Sequence, residues 1–210
     1  MPSHAAPALP AELANELHRA TTRAHKLWFE PQHQAYWFAS TPQFDAELRA
    51  GFGDLLEALA DANPQAASQW PSNVQERLGL ILLCDQFPRN CFRGQAAAFG
   101  LDALALATAK LGILAGEDLS LSIDERCFFY LPFEHSENLL DQHTCVGLLT
   151  QLRDGAKGSD RERAGNYLRH AHQHRDIIQR FGRFPHRNQS LQRTSSPAEA
   201  QFAEGGSFGQ

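Results

Sequence analysis

No stretch of this sequence reaches the run of about 18 uncharged apolar residues that a membrane-crossing helix needs, so bilayer insertion is not expected. The opening MPSHAAPALPAELANELH has neither a basic n-region nor an apolar h-region, which argues against an export signal. Cysteine is scarce and never falls in CxxC spacing; Cys84, Cys91, Cys127 and Cys145 each sit among apolar neighbours. They read as buried reduced thiols, neither disulfides nor zinc ligands, and fit a cytoplasmic address. Sustained period-2 alternation of β-branched residues is missing, so no sheet is expected. Phosphate-loop and dinucleotide fingerprints are also missing, and no cofactor is called for. No cysteine or serine stands in a recognisable nucleophile setting, although Ser136 lies between His135 and Glu137.

Basic charge is in deficit overall, with a net charge of −5, which argues against a general nucleic-acid binder. The deficit is uneven. Between Arg161 and Arg193 eight arginines face only Glu162 and Asp176, so this stretch carries +6 and the remainder −11. An acidic body attracting a basic C-terminal helix accounts for this, as does an anionic ligand or partner.

What is abundant is helix signal. Thr41 and Pro42 read as N-cap and first helical position, leading into Phe44, Leu48, Phe52, Leu55 and Leu59 at helical spacing. Ser72 with Gln75, Ser122 with Glu125 and Ser196 with Glu199 match the capping box. The stretches Val74 to Phe87, Gln95 to Leu114, Glu134 to Leu152 and Arg161 to Phe181 are rich in residues that keep side-chain entropy in a helix. Surface loops are expected over Ala60 to Pro71 and Asp154 to Asp160, and a frayed tail over 205–210. These signals predict an all-α chain of about seven helices in antiparallel pairs, one domain spanning 1–210 with a variable segment over 1–36.

Three segments break the pattern. In LGLILLCDQFPRNCFRG an apolar helix runs straight into Asp85, Gln86, Arg89, Asn90 and Arg93, and such charges either pair with one another or line a wet cavity. In CFFYLPFEHSENLLDQH, Pro132 ends or kinks a helix, after which Glu134, Glu137, Asn138 and Asp141 share one helical face by spacing. In HAHQHRDIIQRFGRFPHRNQSL, His170, His174, Ile177, Ile178 and Phe181 form one face, and Gly182 and Pro185 end the helix. That leaves Arg183, Phe184, His186, Arg187 and Asn188 in a compact loop whose donors suit a carboxylate or phosphate. Phe87, Pro88, Arg89, Asn90 and the later Phe184, Pro185, His186, Arg187, Asn188 echo one another, either as helix-ending turns that tie down carbonyls or as ligand-binding turns.

On these motifs, together with Trp37, Phe38, Phe44, Asp45, the Arg93–Gly94 and Ala98–Phe99 pairs and YLPFEHSE, the sequence resembles a bacterial family known as domain of unknown function 924. The resemblance covers nearly the whole chain and implies a tetratricopeptide-like, all-helical superhelix; it implies no substrate. After Asn188 the family pattern favours Leu, Gly, Arg, so Gln192 stands in place of a glycine.

The leading functional expectation is a small-molecule site where the three segments converge on an anionic metabolite. Asp85, Arg89, Asn90, Arg93, Arg183, His186, Arg187 and Asn188 are the expected ligand-binding residues, with Glu134, His135, Glu137 and His174 as acid–base candidates. The alternative is a peptide- or protein-binding helical module in which the polar cluster is structural; no 34-residue repeat is visible to favour it. A metal set of Glu134, His135, Glu137, His170 and His174 is weak, because HAHQH lacks the intervening glutamate of HExxH; no metal is expected.

Overall fold

The computed structural model describes residues 11–60 and 71–204. Among these residues there is no strand, so the chain is all-α as expected. Most of the expected Ala60–Pro71 loop, the 205–210 tail and the first ten residues lie outside the described residues. By contact density the chain forms two compact units, Met1–Arg93 with Ala97–Ser120, and Gly94–Ala96 with Leu121–Gln210.

The first unit holds α1 (Ala11–Trp28), α2 (Pro42–Leu59), α3 (Val74–Ile81), α4 (Phe87–Cys91) and α5 (Asp102–Leu114). The Thr41 side chain caps α2 by accepting from the Phe44 N–H at 3.2 Å, with Pro42 in the first turn, as the sequence predicts. At α3 the cap sits one residue later than expected. Asn73 Oδ1 accepts the Glu76 N–H at 3.0 Å, while the Glu76 carboxylate takes the Ser72 N–H and hydroxyl at 2.9 and 2.8 Å. α3 lies against α1 at Gly79, where a Cβ would stand 2.1 Å from the Thr21 carbonyl oxygen, so only glycine permits this approach.

Between α3 and α4 the helix widens into a π-turn over Leu82–Gln86, with the Phe87 N–H bonded to the Leu82 carbonyl five residues back. Pro88 supplies the reason. It has no N–H to offer, and in a regular α-helix its ring would collide with the carbonyl four residues earlier; one extra residue in the turn relieves both. The helix expected over Gln95 to Leu114 is instead a 3-10 turn, Ala96–Phe99, followed by α5. Among the described residues, Ala96–Leu114 is long and apolar enough on average to match a membrane span, with mean hydropathy 1.6, as the core helix of a soluble protein also can be. It nevertheless contains Asp102 and Lys110, and α5 buries Leu104, Ala105, Thr108 and Ala109 while packing on α3.

The second unit holds α6 (Ile123–Glu134), α7 (Leu139–Gly155), α8 (Gly158–Phe181) and α9 (Pro197–Glu204). Both limbs of the Ser122–Glu125 capping box are made at the start of α6, and both limbs of Ser196–Glu199 at α9. The single helix expected from Glu134 to Leu152 does not form. Pro132 stands within α6, which ends two residues later; the chain turns through His135–Glu137, and Asn138 caps α7 by accepting from the Leu140 N–H at 2.8 Å. Glu134, Glu137, Asn138 and Asp141 therefore do not share one helix face. Only Ala156 and Lys157 separate α7 from α8, less than the loop expected over Asp154 to Asp160. So short a link makes the two helices antiparallel, and they pack along each other. α8 ends as predicted, at Gly182 in the left-handed region with φ 70°.

Candidate functional site

The first polar segment is paired off within its own unit. Asp85 is fully buried on the π-turn, takes Gln86 Nε2 at 2.6 Å on Oδ2 and lies 3.5 Å from Arg89 Nη1. The Arg89 guanidinium grips both oxygens of Asp102 at 2.9 and 3.1 Å and also donates to the Asp85 carbonyl oxygen. Asn90 Nδ2 donates to Asp45 Oδ1 at 2.8 Å, beside Ser40 Oγ at 2.7 Å, and Arg93 Nη2 reaches Asp45 Oδ2 at 3.0 Å. Burial works to raise the Asp45 carboxyl, but the donors Ser40, Asn90 and Arg93 outweigh it and hold the group below the ordinary carboxylate range. Sequence reasoning paired none of these groups with Asp45 or Asp102, which lie 13 to 48 residues away along the chain.

The second and third segments meet within the second unit. His174, in the penultimate turn of α8, has Nδ1 3.0 Å from the His170 carbonyl oxygen and 3.1 Å from Oε1 of Glu134, the last residue of α6. Glu134 Oε2 lies 3.9 Å from Cys145 Sγ on α7. The other rings follow: His135 is 6.1 Å from His174, Phe184 is 5.6 Å from His174, and His186 is 5.4 Å from Phe184, centroid to centroid. Arg187 places its guanidinium 4.5 Å from the centre of the Phe184 ring. Phe184 is fully buried with Ile177 and Ile178, so the 3-10 turn Pro185–Arg187 is anchored on the core by its own aromatic residue.

Burial pushes the His174 imidazole down, to about 3, and the neighbouring His135, His186 and Arg187 push the same way against the His170 carbonyl. The ring is thus neutral at pH 7, and its contact with Glu134 is a hydrogen bond from Nδ1–H rather than an ion pair. This fixes the tautomer and leaves Nε2 as an acceptor.

The turn is locked from outside by Glu137 and Arg193. Arg193 Nη1 and Nη2 donate to the Glu137 oxygens at 2.7 and 3.0 Å, and the Phe184 N–H donates to Glu137 Oε1 at 2.8 Å. Arg193 also donates to the Phe184 carbonyl at 3.0 Å and to Asn188 Oδ1 at 3.0 Å. Burial favours a protonated Glu137, yet these donors hold its carboxyl below the ordinary value. Asn188 Nδ2 in turn reaches Ser195 Oγ at 3.0 Å. Next to Arg193, Gln192 adopts φ 53°, the left-handed conformation that suits the glycine of the family pattern.

Of the expected residues, Glu134, His135, His174, His186 and Arg187 come together. Glu137 and Asn188 hold the turn in place, and Arg183 donates to both oxygens of Glu199 at 2.6 and 2.9 Å while Glu137 also bears on its charge. The echo of the two Phe-Pro motifs is not structural. Phe87–Cys91 continues a helix, whereas Pro185–Arg187 is a 3-10 turn after one. Sequence reasoning missed Arg193 and Gln142, a fully buried side chain whose Nε2 donates to the Glu134 and Ser136 carbonyls at 2.5 and 2.7 Å. The one sequence signal for Arg193 was its place in the arginine-rich stretch; Gln142 had none. All four cysteines are free and buried, and burial raises each thiol. Among the described residues no group of three or more His, Cys, Asp or Glu is arranged to hold a metal ion.

Residues 24–207 match the model of a family described as bacterial protein of unknown function, DUF924. A solved structure of a protein of unknown function, ATU0120 from Agrobacterium tumefaciens, is 38% identical in sequence, with a TM-score of 0.74, over 90% of this chain and 99% of that one. No curated protein matches the sequence.

Proposed function

The chain belongs to the DUF924 family of bacterial proteins of unknown function, and on that footing we propose that its second unit binds a small anionic molecule where His135, His174, His186 and Arg187 gather around Phe184. The observation that carries this reading is a buried, permanently charged guanidinium beside three imidazoles, one of which is held neutral. A cation so placed stabilises a bound anion strongly, because little water screens the pair. Glu137, the nearby acid of the lock, already receives three donors from Arg193 and Phe184. The charge of Arg187 also bears on Glu137, and an anion seated beside the arginine and the histidines joins that network.

His174 fits such a site as an acceptor oriented by Glu134, the arrangement by which a carboxylate fixes the tautomer of a working imidazole. With its pKa near 3 it accepts a hydrogen bond but takes up no second proton near pH 7, so binding comes before catalysis in this reading. The Arg89, Asn90 and Arg93 group has a structural role here, its charges being answered by Asp85, Asp102 and Asp45.

A thermal-shift screen with carboxylates and phosphates tests the proposal. An anion present at about 100 times its Kd stabilises by about 2.7 kcal/mol, a rise of roughly 5–10 °C for a chain of this size. The rise should vanish in Arg187→Met while that variant stays folded. No shift with any anion, or a shift indifferent to Arg187→Met, contradicts it.

A further inference from the structure

The first unit holds an open cleft between α1 and α2, about 250 Å³ in volume, which shares no residue with the histidine cluster. α1 contributes Glu16, Arg19, Ala20 and Arg23, which recur at helical spacing and so form one stripe. α2 contributes Asp54 and the buried side chains of Phe52 and Leu55, which with Ala20 make an apolar floor. The charges are spread along the cleft. Arg23 joins the two helices: its Nη2 donates to the Gly51 carbonyl oxygen, and its guanidinium lies 4.3 Å from the centre of the Phe52 ring. Glu16 lies seven residues back along α1, about 10 Å at the rise of a helix, with Arg19 between them, and Asp54 lies about one turn along α2 from Gly51.

Gly51 bears on what this cleft is for. Glycine weakens the interior of a helix, and packing does not call for one here, because a Cβ at this position meets nothing within 4 Å. Its lack of a side chain leaves the cleft open beside the Arg23 guanidinium. A purely anionic ligand in the cleft faces two carboxylates, and a purely cationic one faces two guanidinium groups. We propose that the cleft binds a small zwitterion, an amino acid whose carboxylate and ammonium are separated by a short methylene chain. The carboxylate rests on Arg19 and Arg23, the ammonium on Glu16 or Asp54, and the methylenes lie over Phe52 and Leu55. Each charged end makes charge-assisted hydrogen bonds, and a ligand lacking one end forfeits that set.

Isothermal titration of the full chain at pH 7.5 tests this with three probes of matched chain length: 6-aminohexanoate, hexanoate and hexylamine. The zwitterion should bind about tenfold or more tighter than either of the others. Gly51→Leu fills the open space and improves helix propensity, so it should abolish that binding with the Tm unchanged or raised. Arg19→Gln should weaken it about tenfold. Arg187→Met, in the other unit, should leave it unchanged, which separates this cleft from the proposed anion site. Equal binding of the three probes, failure of 6-aminohexanoate to bind, or binding indifferent to both Gly51→Leu and Arg19→Gln overturns the proposal and leaves the anion-binding reading standing.

Discussion

Lowering the pH from 7 to 5 should destabilise this protein through one residue, His174, and replacing that residue should remove the effect. In the unfolded chain the imidazole titrates near its ordinary 6.5, whereas in the folded protein burial and the neighbouring His135 push it to about 3. The folded value lies below the unfolded one, so the unfolded chain takes up the proton first. The stability that neutral His174 contributes is complete above pH 6.5 and is lost as pH falls toward 3. Each pH unit inside that window costs about 1.4 kcal/mol, so the step from pH 7 to 5 removes about 2 kcal/mol. Urea unfolding of the parent protein and of His174→Gln at both pH values measures it. Comparing the two proteins isolates the contribution of His174, so the parent should lose about 2 kcal/mol more than the variant. Equal losses, or a parent that gains stability at pH 5, would mean that His174 is a charged partner of Glu134 and would refute the reasoning.

Other predictions concern the frame. Gly79→Ala puts a methyl group 2.1 Å from the Thr21 carbonyl oxygen and should cost about 3 kcal/mol or more, seen as a Tm lowered by roughly 6 °C or more; an unchanged Tm contradicts the close approach of α1 and α3. Gln192→Gly relieves the left-handed strain at φ 53° and should raise stability by about 0.5–1 kcal/mol after the added chain entropy of glycine, with a fall in Tm as the contrary result. Burial pushes the Cys91 thiol up to about 12 and raises the other three, so none of the four cysteines should react with a thiol reagent in the native protein at pH 8, and all should react in denaturant. Rapid labelling of any one of them in the native state would contradict its burial.

The parts of this fold legible in the sequence are those set by neighbours within one helical turn. Thr41 with Pro42, Ser122 with Glu125, Ser196 with Glu199 and the stop at Gly182 are local hydrogen-bond devices, and the structure uses each as expected. Where two local signals compete, the sequence misleads. Ser72 matches the capping pattern, but Asn73 is an equally good cap one residue nearer the apolar run, and it takes the position. The π-turn at Leu82–Gln86 follows from Pro88, yet proline alone does not say whether a helix breaks, kinks or widens. The same ambiguity hid the turn after Pro132, where the break falls two residues later and sends Glu134 and Glu137 to different elements. The candidate site shows the limit most clearly. His174 and Glu134 were each identifiable by type, but their contact spans 40 residues and the Glu137–Arg193 lock 56, separations at which periodicity carries no information.

Whether His174 is a neutral ring beside a cation that holds an anion is read directly by nitrogen-detected NMR of the histidine rings. The spectrum should show His174 with hydrogen on Nδ1 and none on Nε2, unchanged from pH 8 to pH 5. Adding phosphate should then move the resonances of the Arg187 guanidinium while His174 Nδ1 stays in place. A His174 ring that titrates near 6.5, or that carries hydrogen on Nε2 at pH 7 with no response to phosphate, would contradict it.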